Sequence, residues 1–257
     1  MSTASRFLDS LFRANNYAKK DLTTHFLTPT EAVSLEAALK NDASRYFYST
    51  LVTFVSGVDS IKSNHYSWAA VKLYYSIFYT LRSWLAVNGR CLFYFEQSPF
   101  LLVSNALESP NRKNGPSHKI LLTEFQNVFP SNYFSTGQIG LVSAFEWIKS
   151  KREEVNYRTE RFNDPAIPYY FSGLRKQSVR RLLEEYVNNK SYQWEFDPDH
   201  ALLAMPLKLI MELKAKLVLA GIETEFSNDE LTFLKNSASD SNGPISVFLR
   251  SSGIMGQ

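Results

Sequence analysis

One arginine on an apolar helical stripe is the residue of this chain best placed to do chemistry. Leu141, Ala144, Phe145, Ile148 and Val155 recur at the three- and four-residue spacing of a buried helical face within residues 139–158, and Arg152 falls on the same stripe. A guanidinium stays charged, and leaving it unpaired in a core costs roughly 3–5 kcal/mol. It therefore meets a carboxylate in a structural ion pair, or it lines a cleft that receives an anion. Asn156, four residues on, points to the same side of a regular helix, where it can bond a phosphate, a base edge or only the neighbours of Arg152.

Proton transfer needs a different group. Each of the four histidines stands singly and reads first as a surface or satisfied buried residue, and His118, which opens a helical stretch beside Lys119 after a loop rich in proline and glycine, is a proton carrier only if its helix start faces Arg152. The competing reading is a helix N-terminal residue bonding its own backbone. Arg112 through His118 also spells Arg-x5-His, inside that loop. Asp197-Pro198-Asp199-His200 gathers two carboxylates and an imidazole, but aspartate before proline is how a helix begins, so no metal site is expected there. His25, His65 and Cys91 stand singly, and Cys91 reads as structural. No glycine-rich phosphate loop, nucleophile elbow or paired-histidine zinc motif is present. No cofactor is expected.

Charge adds an electrostatic argument. The net charge is +3, yet residues 149–181 hold nine basic side chains against four acidic ones, an excess of +5 that leaves −2 for the remainder. Arg158, Arg175 and Lys176 belong to this region, which is either a surface for phosphates or a pair of solvated helix faces. One cysteine excludes an internal disulfide framework and suits a reducing cytoplasm. The first twenty residues lack the apolar core of a secretory signal, and the apolar run 68–87 carries Lys72, Arg82 and serines, so it reads as a core helix and not a membrane span.

The elements that must position these residues read as helical throughout. With 44% hydrophobic and 14% aromatic residues the chain can bury a large core, and ten glycines and ten prolines are too few for a turn-rich sandwich or barrel. Thr28-Pro29-Thr30-Glu31 is a capping box opening a helix to about residue 39, and the spacing from Phe47 to Ile61 predicts a second. A third, about 67–88, is apolar nearly all round and belongs at the centre of a bundle. On it Tyr74 and Tyr75 read as core residues, with Lys72, Ser76 and Arg82 on a thin polar, structural stripe. Residues 90–117 read as a long irregular connection with some order around 100–106. Helices are predicted over 117–129, over the Arg152 stretch, from Phe171 to Tyr186, and from Asp197 to about 221 with a kink or restart at Pro206. Ser227-Asn228-Asp229-Glu230 is a second capping box, for a helix to about 236; residues 245–250 predict a last strand or helical turn. No alternation of the kind a sheet requires is visible, so an all-α fold follows.

Three segments, in order, resemble the HEPN superfamily of nucleotide-binding helical bundles from higher eukaryotes and prokaryotes. The aromatic helix Ala69-Ala70-Val71-Lys72-Leu73-Tyr74-Tyr75-Ser76-Ile77-Phe78 resembles that family's paired-tyrosine helix. Ser117-His118-Lys119 resembles a helix start in one branch of it, and Arg152-Glu153-Glu154-Val155-Asn156-Tyr157 resembles the same branch's Arg, two residues, Ala-Asp-Tyr ending. The resemblance implies a multi-helix bundle over 43–190, with helical extensions at 1–42 and 191–257. It also implies a dimeric, metal-independent ribonuclease of toxin–antitoxin or antiviral systems. Departing from the usual Arg-x4-6-His motif, this chain has Tyr157 where histidine is expected, and a phenol is a poor base at neutral pH. The expected site is Arg152 with Tyr157 and His118, flanked by Asn156, Lys119, Arg158, Arg175 and Lys176. The expected ligand is RNA or a nucleotide, with a homodimer partner, an antitoxin or defence-system protein, and no membrane. The alternative is a non-catalytic helical module that dimerises or docks an enzyme, with Arg152 in an ion pair.

Overall fold

The computed structural model describes residues 1–158, 160–188, 196–224 and 226–238. Helix α1 (Thr3–Ala14) is anchored at its start by a residue distant in sequence: the N–H groups of Thr3 and Ala4 donate to the two carboxylate oxygens of Asp42 at 2.6 and 2.9 Å. Helix α2 (Pro29–Lys62) opens with the expected capping box, Thr28 and Glu31 bonding each other's backbone N–H at 2.8 and 3.3 Å. It does not stop near residue 39. Asp42 and Ala43 are buried, and the polar stretch that looked like a connection is the part of α2 that holds α1. The domain boundary expected at 42/43 therefore falls inside one helix.

Helix α3 (Tyr66–Val87) returns against α2 after residues 63–65. The two approach closely at Gly57, where a Cβ would sit 2.9 Å from Leu73 Cγ. The predicted polar stripe closes inside the pair. Ser76 donates to the Thr50 carbonyl at 3.2 Å, Ser83 to the Ala43 carbonyl at 2.7 Å, and Lys72 to the Ser60 hydroxyl at 2.8 Å. Arg82 is different: its guanidinium leaves the stripe and lies 4.6 Å from the centre of the Tyr46 ring.

Sequence periodicity missed the sheets. Strands β1 (Arg90–Phe95) and β2 (Ser98–Val103) form an antiparallel hairpin, and β3 (Asn111–Arg112) adds to β2. Cys91, Phe93 and Phe95 point inward as a strand requires, but the outward Leu92 and Tyr94 are also apolar, so no alternation shows. The two-residue turn is Glu96-Gln97, both at positive φ, in place of the usual Asn-Gly. The fold is thus predominantly helical, with this sheet and a two-stranded one, and the all-α expectation is corrected to that extent.

Helices α4 (Ser117–Val128) and the short α5 (Tyr133–Thr136) lead to strands β4 (Gln138–Ile139) and β5 (Val142–Ser143). Leu141, expected on the buried stripe, sits at the tip of this hairpin and is 98% exposed. The helix starts only after it, at α6 (Ala144–Glu153), because the Ser143 hydroxyl accepts the Glu146 N–H at 3.3 Å. Ala144, Phe145, Ile148 and Val155 are buried as expected. The predicted Phe171–Tyr186 helix is two elements, a 3-10 segment Tyr169–Arg175 and helix α7 (Val179–Asn188).

Helix α8 (Ala201–Leu219) is buried along most of its length against α3 and runs through Pro206 without restarting. It begins four residues later than expected: the Asp197 carbonyl accepts the N–H groups of His200 and Ala201 and makes a turn ahead of it. Helix α9 (Asn228–Ala238) opens with the second capping box, Ser227 and Glu230 exchanging bonds at 2.8 and 3.2 Å. Residues 245–250, expected as a last strand or helical turn, lie outside the described residues. No helix among the described residues is long and apolar enough to cross a membrane.

One buried apolar cluster runs from Ala4 to Leu234, and residues of α8 and α9 belong to it. Leu209 is fully covered in it. Leu209→Ala should cost about 2–5 kcal/mol in denaturant unfolding, through a single transition that also reports the α2–α3 pair. Two separate transitions, or a loss below about 1 kcal/mol, would show that α8 is an appendage.

Candidate functional site

Arg152 sits in the last turn of α6, only 7% exposed, and no carboxylate pairs with it among the described residues. Three tyrosines surround it. The guanidinium carbon lies 5.4 Å from the ring centre of Tyr74, 5.8 Å from that of Tyr75 and 5.3 Å from that of Tyr157. Nη2 donates to the hydroxyls of Tyr75 and Tyr157, both at a long 3.4 Å, and Nε is buried with no acceptor. Cation–π contacts contribute up to ~2 kcal/mol when desolvated, comparable to the ~1–3 kcal/mol cost of an orphaned buried donor. The box holds the charge in place without satisfying its hydrogen bonds.

Local backbone geometry explains which neighbours it has. After Glu153 the helix widens into a π-turn, Glu154–Arg158. An i→i+5 turn brings the fifth residue on, Tyr157, beneath Arg152, where a regular helix would bring the fourth. Asn156 is exposed, and the expectation that it shares the face of Arg152 is corrected by that extra residue. Tyr157 is 72% exposed although its ring contacts the guanidinium, so it forms the outer wall of the box. Tyr74 is buried as expected of a core residue, and burial pushes its hydroxyl up to about 12 against the pull of Arg152.

His118 occupies the other side of Tyr74. Its ring centre is 6.2 Å from that of Tyr74 and 5.7 Å from that of Phe78. Together with Leu121 and Ile148 these rings line an apolar cavity of about 10 Å³, room for at most one water. Nδ1 is buried without a partner, so the imidazole is not spent on a local helix-start bond. Burial first, and then the cations of Arg152 and Lys149, lower its pKa below the ordinary imidazole value, while Glu153 acts weakly the other way. The neutral ring is the form able to accept a proton.

The flanking basic residues separate into two groups. Lys119 and Arg158 are exposed on the elements that carry His118 and Arg152. Arg175 donates to the Ile167 carbonyl at 3.0 Å, and Lys176 is 3.4 Å from Asp199, so both are engaged elsewhere. Lys149, Lys151, Arg180 and Arg181 likewise meet carboxylates on their own helices, at 2.9 to 3.4 Å. Five of the nine basic residues counted in the sequence are therefore offset locally, and the basic stretch owes much of its apparent charge to helix-surface pairs. Donor atoms of Asp197, Asp199 and His200 do lie within 4.8 Å of one another, with the Tyr186 hydroxyl 2.7 Å from His200 Nδ1. Arg112 stands on β3, away from the tyrosine box.

The lowered His118 pKa has a direction that can be checked. Below pH ~6.5 the unfolded chain takes up a proton that the folded ring resists, so stability from this residue is full above that pH and is lost as pH falls through the folded value. Ring-proton NMR should show His118 titrating below a free imidazole, and moving upward in Arg152→Ala as a nearby cation is removed. A midpoint that does not respond to that substitution would separate the two residues electrostatically.

Comparison with family models, with curated proteins and with solved structures gives no match to this chain.

Proposed function

We propose that this protein is a HEPN-like, RNA- or nucleotide-engaging protein whose site is Arg152, Tyr157 and His118, and that it acts as a metal-independent endoribonuclease. One observation carries the reading: a buried guanidinium with an orphaned Nε and two stretched bonds to tyrosines, paired with no carboxylate among the described residues, is short of an acceptor. A phosphate oxygen is an acceptor of matching charge and geometry. Tyr157, exposed at the edge, offers a ring for a base and a hydroxyl for a second bond.

In such a reaction the neutral His118 ring takes the 2′-hydroxyl proton as that oxygen attacks the adjacent phosphorus. Arg152 steadies the charge building on the phosphoryl oxygens, and the proton taken up by His118 is returned, through water, to the leaving 5′-oxygen, giving a cyclic phosphate and a 5′-hydroxyl. Tyr157 positions and does not act as base. Absence of a metal requirement, a homodimer, an antitoxin or defence-system partner and a cytoplasmic setting come to this chain from the family resemblance. Lys119 and Arg158, both exposed, are the flanking cations of this reading.

A second reading has its own observation. Arg152 is covered by rings of its own chain and the His118 cavity admits one water at most, which suits an anion-gated or purely structural module that docks a partner.

Incubation of the purified protein with total RNA in the presence of a chelator tests both. Cleavage should occur, should fall by roughly 10²–10⁴-fold in His118→Ala, as loss of a proton-transfer group does, and should fall at least as far in Arg152→Ala. Cleavage that survives both substitutions refutes the site. Salt-sensitive RNA binding without cleavage, lost in Arg152→Ala, would leave the binding module standing.

A further inference from the structure

The face of α3 that carries Tyr74 and Tyr75 continues past Phe78 to Arg82. Phe78 links the two regions: its ring centre is 5.7 Å from that of His118 and 5.7 Å from the guanidinium carbon of Arg82. Arg82 stacks on Tyr46 of α2, and no carboxylate or other hydrogen-bond acceptor meets it among the described residues. Beside it a groove of about 440 Å³ opens, lined by Arg45, Arg82, Ser49, Tyr94 and Ser117. Ser117 directly precedes His118 in sequence.

The charge of this groove is decided by what its acid is doing. Asp42 also lines it, but both its carboxylate oxygens accept N–H groups from the start of α1. Arg45 is exposed and forms no side-chain bond among the described residues. Two guanidiniums thus face one cavity with their donors unused, with hydroxyls around them and the half-exposed ring of Tyr94 at its rim. Five planar donors on each suit phosphate oxygens.

We infer that this groove is a second phosphate subsite, in which Arg82 and Arg45 hold a neighbouring phosphate of the same RNA strand that Arg152 engages. The inference rests on the proposed RNA-engaging reading and narrows it: the ligand is a strand, not a mononucleotide. Spacing supports this. Arg82 lies seven residues beyond Tyr75 on α3, about 10 Å of helix rise, a separation that phosphates close together on one strand can span. Aromatic rings alternate with the cations along this path, Tyr157, Phe78, Tyr46 and Tyr94, as a single-strand channel needs.

Fluorescence anisotropy with non-cleavable 2′-O-methyl RNA oligomers of about two to about eight nucleotides tests the assignment. Wild-type affinity should rise with length, and Arg82→Gln and Arg45→Gln should each remove roughly tenfold from the longest oligomers while leaving the shortest unchanged. Each should also reduce the slope of log affinity against log salt by about 0.7, as loss of one phosphate contact on a single strand does. Equal binding of long oligomers by wild type and both variants, with Arg152→Ala weak, overturns the second subsite and leaves the Arg152 reading intact. No binding of any oligomer by the wild type overturns both. Arg82 packs on two rings, so melting temperatures are measured alongside. Loss confined to a destabilised Arg82→Gln, with Arg45→Gln like wild type, also overturns the subsite.

Discussion

Burial of α3 on most of its sides is the constraint on which this molecule depends. Helix α2 covers one flank through the close approach at Gly57, α8 covers another, and α4 and α6 approach the rest. A helix so enclosed must satisfy its own polar groups. Ser76, Ser83 and Lys72 do so by bonding across to α2 carbonyls and hydroxyls, which pins the register of the two helices. One face of α3 carries a row of rings, the buried Tyr74 and the partly buried Tyr75 and Phe78, and ends at Arg82. That seam is where Arg152, His118 and the groove around Arg82 all meet.

Placing a cation against this seam is energetically balanced on a narrow margin. Three aromatic faces offset part of the desolvation of Arg152, but the planar donor set of a guanidinium is poorly served by two hydroxyls at 3.4 Å. A carboxylate would have closed the site, as it does for Arg90, which meets Glu124 at 2.7 Å on the far side of α4. The contrast between these two arginines is informative. One is a finished structural pair; the other keeps unmet hydrogen-bonding capacity beside an imidazole whose pKa burial and nearby cations lower.

The π-turn after Glu153 shows how a small change in backbone geometry recasts a site. With regular helix, Asn156 would share the face of Arg152 and Tyr157 would turn away. One extra residue per turn exchanges them. The fifth residue after Arg152 is thereby in contact with the arginine and is a ring with a hydroxyl. His118, on the other side of Tyr74, comes from a helix more than thirty residues earlier in the chain.

Much of the architecture was legible without coordinates. Both capping boxes, the central apolar helix, the helices carrying His118 and Arg152, and the buried positions Ala144, Phe145, Ile148 and Val155 follow from local bonding and periodicity. Those signals lie within one or two turns of chain. The hairpin escaped notice because Leu92 and Tyr94 are apolar on its outer side; Leu141 misled because apolar spacing continues through a hairpin tip that no residue covers. The continuity of α2 depended on Asp42 capping a different helix. The sequence by itself determined that an arginine lies on an oily face and that this face needs a charge-compatible neighbour. Only tertiary structure decided that the neighbours are tyrosines instead of carboxylates, that most surrounding basic residues are already paired, and that His118 shares a ring with Arg152. The reason is that such contacts join residues far apart in the chain, whose meeting is fixed by packing around α3 and by nothing local.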